Sequence, residues 1–234
     1  MYEVPETLAR GDGTLGELVL RRRSGTPPVY ELIVNGVFLM DTAETSTERL
    51  LADVVLQRSA EPRRILVGGL GLGYTVRALL DDQRVECIDV VEIEPLLVGW
   101  LRADTVPGAA AVLADQRVHV AIGDLAASLA MAEPATYDAV LLDVDNGPDF
   151  LVHGRNASVY QQGGLAAAAR VLRPGGMLAV WSAAPSVSLS IRMAAVVGPV
   201  THVTADVPRD RRPLTYHVYL AQRVAHHAGD QPRG

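Results

Sequence analysis

From Arg63 onward the chain alternates short, uninterrupted apolar runs with stretches of helical spacing. The runs are RRILVGGL, VECIDVVEI, RVHVAIGD, YDAVLLDVD and GMLAVWSA; between them lie YTVRALLDD, PLLVGWLRA, DLAASLAMA and SVYQQGGLAAAARVL. A strand that is apolar on both sides must be covered on both faces, and helical crossovers between strands leave those strands parallel. VTHVTADV and LTYHVYLAQR, flanking an Arg/Pro-rich loop, read as a closing hairpin. The pattern predicts an α/β fold with a doubly wound, mostly parallel, seven-stranded sheet. RPGG (173–176) reads as a turn that leads from a helix into the fifth strand.

The first 60 residues follow another rule. YELIV and VFLMD flank Asn35-Gly36, a strong hairpin signal because both turn residues tolerate positive φ. GELVLRRR is a candidate third strand. TSTERLLADVVLQ has Thr45 three residues before Glu48, a capping-box spacing followed by helical periodicity. We therefore expect a small N-terminal β-hairpin subdomain with a linking helix over 1–60, the main domain over 61–224 and a flexible tail over 225–234.

Composition narrows the function. The net charge is −6, and the one basic tract is Arg21, Arg22 and Arg23, expected on a strand edge or loop; this argues against a nucleic-acid surface. There is no apolar stretch of membrane-spanning length and no signal-peptide core, so a soluble cytoplasmic protein is expected. The single cysteine, Cys87, suits a reducing compartment and reads as inert core. All 21 Lys/Arg residues are arginines, which removes any mechanism that needs a lysine.

The first apolar run ends in GGLGLGY. Glycines at the carboxyl end of a parallel strand let backbone N–H groups and a helix N-terminus approach a ligand closely. A phosphate-binding P-loop needs a lysine and fails. The dinucleotide spacing G-x-G-x-x-G also fails, because its third glycine falls on Tyr74 or Val76. Gly69, Gly71 and Gly73 give G-x-G-x-G, a spacing typical of adenosyl-sulfonium sites; a tight turn without a ligand is the alternative. Carboxylates at later strand ends add weight. Glu92 can accept from both ribose hydroxyls, and Asp124 from an adenine amine. Asp143 and Asp145 lie at the mouth of the same crevice, although an Asp after a strand is commonly a helix N-cap.

ILVGGLGLGYTVRALL, VVEIEP, AIGD, YDAVLLDVD and RVLRPGGMLAVWS together resemble the successive motifs of the spermidine synthase (polyamine aminopropyltransferase) family, with its Rossmann-like class I methyltransferase fold. The resemblance runs over roughly residues 15 to 222. It implies that Gly69, Gly71 and Gly73 face the cofactor, Glu92 the ribose and Asp124 the adenine, with Asp143 the catalytic aspartate. It implies S-adenosylmethionine or its decarboxylated form as cofactor; the residues themselves, with one cysteine and six scattered histidines, lead us to expect no metal.

This chain also departs from the family's pattern. Leu72 stands where the family loop has an acid that holds the decarboxylated cofactor's amine. Asn146 replaces the second aspartate of the family's gate, and of the N-terminal helix cluster aligned with Ser46, Thr47 and Glu48 only the glutamate remains. Because desolvated amines need partners, these losses favour methyl transfer to a small-molecule acceptor, with Asp145, Asn146 and Tyr160 as substrate-binding candidates. Aminopropyl transfer to a di- or polyamine is the alternative, since Asp145 and Asp149 can compensate in part; a catalytically silent homologue is the third reading. His153 is the one histidine near the mouth, while His119, His202 and His217 fall in strands. Trp100 and Trp181 read as core or interface residues. The edges of the N-terminal hairpin suit a homodimer.

Overall fold

The computed structural model describes residues 4–14, 16–144, 147, 157–207 and 214–224. Its N-terminal part is a four-stranded antiparallel sheet in chain order: β1 (Glu6–Gly13), β2 (Gly16–Arg23), β3 (Val29–Val34) and β4 (Val37–Asp41). Asn35 and Gly36 both take positive φ, 50° and 75°, in the β3–β4 turn, which matches the right-handed twist of the flanking strands. The sequence reading allowed three strands here; β1 is a fourth. On β2, Arg21 and Arg23 flank the buried Glu31 of β3, with Nε to carboxylate distances of 2.5 and 3.0 Å.

α1 (Ser46–Arg58) leads into the second sheet, formed by β5 (Arg64–Gly68), β6 (Cys87–Glu92), β7 (Val118–Ile122), β8 (Tyr137–Leu142), β9 (Leu172–Ser182), β10 (Val200–Val207) and β11 (Leu214–Gln222). Their order is β10-β11-β9-β8-β5-β6-β7; β5, β6, β7, β8 and β9 run parallel, and β10 and β11 form an antiparallel closing hairpin. The helices are α2 (Tyr74–Leu80), α3 (Pro95–Arg102), α4 (Ala109–Leu113), α5 (Leu125–Met131), α6 (Ala157–Tyr160), α7 (Gln162–Val171) and α8 (Val187–Val196). Two buried apolar clusters account for the two-sided strands. One joins leucines of β2 and β3 to α1, α2 and α3; the other joins α5, α7 and α8 to the opposite face.

Residues 173–176 are not a separate turn. They run inside β9, because the backbones of Gly175 and Gly176 pair with Arg223 beyond the end of β11. No helix among the described residues is long and apolar enough to cross a membrane.

Candidate active site

The chain builds outward from β5 in one direction through β6 and β7, then returns to add β8 and β9 on the other side. The crevice between the β5 and β8 ends is the switch point, where an open α/β sheet accommodates ligands. Asp143 N–H donates to the Gly68 carbonyl at 2.8 Å and Gly69 N–H to that of Val91 at 2.9 Å, which locks the strand ends together. Gly69 has φ 90°, and a Cβ there would lie 2.2 Å from the Asp143 carbonyl oxygen; a side chain would push β5 and β8 apart. Gly73 caps α2 at φ 85° with open space around it, so conformation alone favours glycine there. Gly71 lies beneath Met40, whose sulfur accepts from Leu72 N–H at 3.3 Å.

Four carboxylates line the cavity over this loop: Glu48, Glu92, Glu94 and Asp143. Glu92, at the end of β6, is 7 % exposed. One of its oxygens accepts from Leu70 N–H at 2.8 Å and the other from Glu94 N–H at 2.9 Å. Burial still holds its pKa above the ordinary glutamate value. Each oxygen keeps a second lone pair, so a diol can still be accepted. Asp143 accepts from Thr75 Oγ1 at 2.6 Å, and burial pushes its pKa up to about 6. Burial, with the Asp143 charge second, pushes Glu48 up to about 7.

The capping box expected at Thr45 is not formed: Thr45 precedes α1 without a side-chain cap. Glu48 turns to the cavity instead and accepts from Thr47 Oγ1 at 2.9 Å. Glu94 was missed in the sequence. It caps α3 by accepting from Leu96 N–H at 3.1 Å, and its other oxygen takes Thr14 N–H at 2.7 Å from the β1–β2 hairpin. VVEIEP carried the signal, an acid directly before a proline at the first helical position.

Other expected site residues are placed differently. Asp124 caps α5, accepting from Ala127 N–H at 2.8 Å; its neighbours Gly123 and Leu125, not Asp124 itself, line the cavity. Tyr160 is buried in the α5–α7–α8 cluster, where its hydroxyl donates to the Val144 carbonyl at 2.5 Å, so it buttresses the end of β8 from behind. Asp145, Asn146, Asp149 and His153 lie outside the described residues. Trp181, read as core or interface, does line the cavity. It is 8 % exposed and stacks on Tyr216, and its Nε1–H has no partner among the described residues. Leu72 points into the core and does not line the cavity.

The cavity is partly open to solvent. Its roof is Leu18, Leu32, Val34, Leu39 and Met40 from the N-terminal sheet. Among the described residues every charged group that lines it is a carboxylate. A lining of this kind favours a cation over an anion.

The comparisons agree with this architecture. Spermidine synthase 1 of Pisum sativum is 32 % identical over 148 residues, 63 % of this chain and 42 % of that protein. Putrescine N-methyltransferase 3 of Nicotiana tabacum is 32 % identical over 117 residues, 50 % of this chain and 29 % of that protein. The chain thus spans less than half the length of these relatives. The crystal structure of spermidine synthase from Thermotoga maritima superposes with a TM-score of 0.78 at 15 % identity, over 93 % of this chain and 73 % of that one. The model of the spermine/spermidine synthase domain matches residues 44–197, a stretch that carries Glu48, the glycine loop, Glu92 and Asp143, and this chain belongs to that family.

Proposed function

We propose that this chain transfers an aminopropyl group from decarboxylated S-adenosylmethionine to a small amine, putrescine being the first acceptor to test. The carrying observation is the sign of the cavity: four carboxylates line it, with no arginine or histidine among its described lining residues. The carboxylate of intact S-adenosylmethionine would enter this chamber unpaired, at a heavy desolvation cost. The decarboxylated form brings only positive charge. Methyl transfer, the main expectation from the sequence, therefore gives way to its alternative. The missing acid at Leu72 had argued the other way, but Glu48 and Glu94 supply negative charge that the loop comparison did not count.

When bound, the donor supplies a carbon beside a sulfonium, whose bond to sulfur breaks as an amine lone pair attacks, the bonding pair leaving on sulfur. The protein must hold the amine neutral and in line. In this reading Asp143 takes the amine proton, and a pKa raised to about 6 by burial makes it a stronger base than an ordinary aspartate. Glu92 grips the sugar, while Trp181 and Tyr74 add aromatic side chains to the lining.

Titration calorimetry with both donors, followed by mass spectrometry of the product formed with putrescine, tests the proposal. We expect the decarboxylated donor to bind at least about ten-fold more tightly, with a product heavier by one aminopropyl group. A preference for S-adenosylmethionine with a methylated product would establish the second reading, which the putrescine N-methyltransferase relatives favour. A melting temperature unmoved by either donor would mean a silent homologue. The proposal extends to a cytoplasmic homodimer, supported by the single free cysteine and by the edge strands β1 and β4, with Phe38 of β4 exposed. Sedimentation equilibrium reads the dimer directly.

A further inference from the structure

Away from the cavity, the parallel register of β6 and β7 builds a second group of chemically active side chains. Cys87 and Asp89 alternate on β6 and so share a face, and His119 of β7 stands directly across from Asp89. Cys87 Sγ lies 3.8 Å from Asp89 Oδ1 and 3.7 Å from His119 Nδ1; His119 Nδ1 lies 3.8 Å from the same Oδ1. Three different donor atoms therefore make a nearly equilateral triangle. Arg64 leaves it intact. Its Nε and Nη2 both hold the other oxygen, Asp89 Oδ2, at 3.0 and 2.8 Å, while its guanidinium rests over the Tyr137 ring. The carboxylate is pinned from behind, with its remaining oxygen turned toward the thiol and the imidazole, the way an outer partner orients a metal ligand.

We propose that Cys87 Sγ, Asp89 Oδ1 and His119 Nδ1 form a three-ligand site for a divalent zinc ion, with the fourth position open to solvent. Zinc bond lengths at a tetrahedral angle set donor–donor separations of about 3.3–3.6 Å, so the triangle needs to close by only a few tenths of an ångström. The exposed His119 ring is free to supply that movement. On binding, the thiol proton leaves to solvent, and one thiolate and one carboxylate balance the two positive charges. A thiolate with an imidazole selects zinc or cobalt over magnesium or calcium. Cys87 starts β6 and Glu92 ends it, about 17 Å apart along an extended strand. The ion would tie the edge strand β7 to β6 and take no part in the transfer chemistry.

The chain's single cysteine makes the test clean. Metal-free full-length protein is titrated with cobalt(II), and the thiolate-to-cobalt charge-transfer absorption is followed; any such band must come from Cys87. We expect the band to saturate at one cobalt per chain and to disappear on adding zinc(II). It should be absent in Cys87→Ser, and cobalt binding should weaken at least ten-fold in His119→Ala. Zinc should raise the melting temperature of the wild type but not that of His119→Ala, a variant of an exposed side chain whose folding circular dichroism verifies. A double His226→Ala/His227→Ala variant, which removes the two adjacent histidines of the C-terminal stretch, should keep the band. No thiolate band, a band indifferent to His119→Ala, or one metal per two chains overturns the site.

Discussion

Asp143 and Glu92 carry opposite parts of the proposed task, and substitution should separate them. Asp143→Asn keeps the volume and can still accept from Thr75 Oγ1, but it cannot take a proton. Donor affinity should stay within about three-fold while turnover falls at least about ten-fold, one decade of rate being about 1.4 kcal/mol. Glu92→Ala removes a charged acceptor for two hydroxyls. Donor binding should weaken by about 1–3 kcal/mol, measured by calorimetry. Intact turnover in Asp143→Asn would remove that residue from the base role. Both acids were legible in the sequence because they end apolar strands, where the topology fixes their placement. Glu48 was harder to read: it lies in a helix, and burial there, with the Asp143 charge second, raises its pKa to about 7. The Cys87–Asp89–His119 triangle depends on a cross-strand register that no local pattern states.

At the scale of elements, Glu94 is a fastening. Its carboxylate caps α3 and also receives the hairpin tip, where a Cβ on Gly13 would lie 2.2 Å from a Glu94 oxygen. Glu94→Ala should cost about 1–3 kcal/mol in urea unfolding, combining a lost cap with an orphaned Thr14 N–H. Glu94→Gln, which keeps one oxygen acceptor, should lose less. The five parallel strands were legible because strands buried on both faces leave continuous apolar runs. β1 was not. It is an edge strand with no buried residue, so neither alternation nor apolar runs mark it. α8 escaped notice for a related reason: its exposed Val187 and Ile191 blur the polar face that would have marked a helix. α4, at five residues, is too short to show a period.

For the whole molecule, the cavity acids couple charge to stability. Asp143 and Glu48 have folded-state pKa values raised to about 6 and about 7, above the ordinary carboxylate range. The folded state binds their protons more tightly than the unfolded chain does. Their contribution is therefore fully present below about pH 4 and is lost as pH rises through 6 and 7. The double variant Glu48→Gln/Asp143→Asn should be more stable than the wild type at pH 8, by on the order of 1–3 kcal/mol, with the difference vanishing near pH 4. Denaturant midpoints across that range check it. A cationic ligand should reverse the preference and expel protons on binding, seen as a buffer-dependent heat in calorimetry.

The cavity is assembled from two stretches of chain with different contents. Its carboxylates all lie from the first turn of α1 onward, whereas the leucines, valine and methionine of its roof all precede Thr42. Selection by charge and selection by shape are thus written in separate parts of one polypeptide. An exchange confined to the first four strands should retune which amines fit while leaving the demand for positive charge untouched.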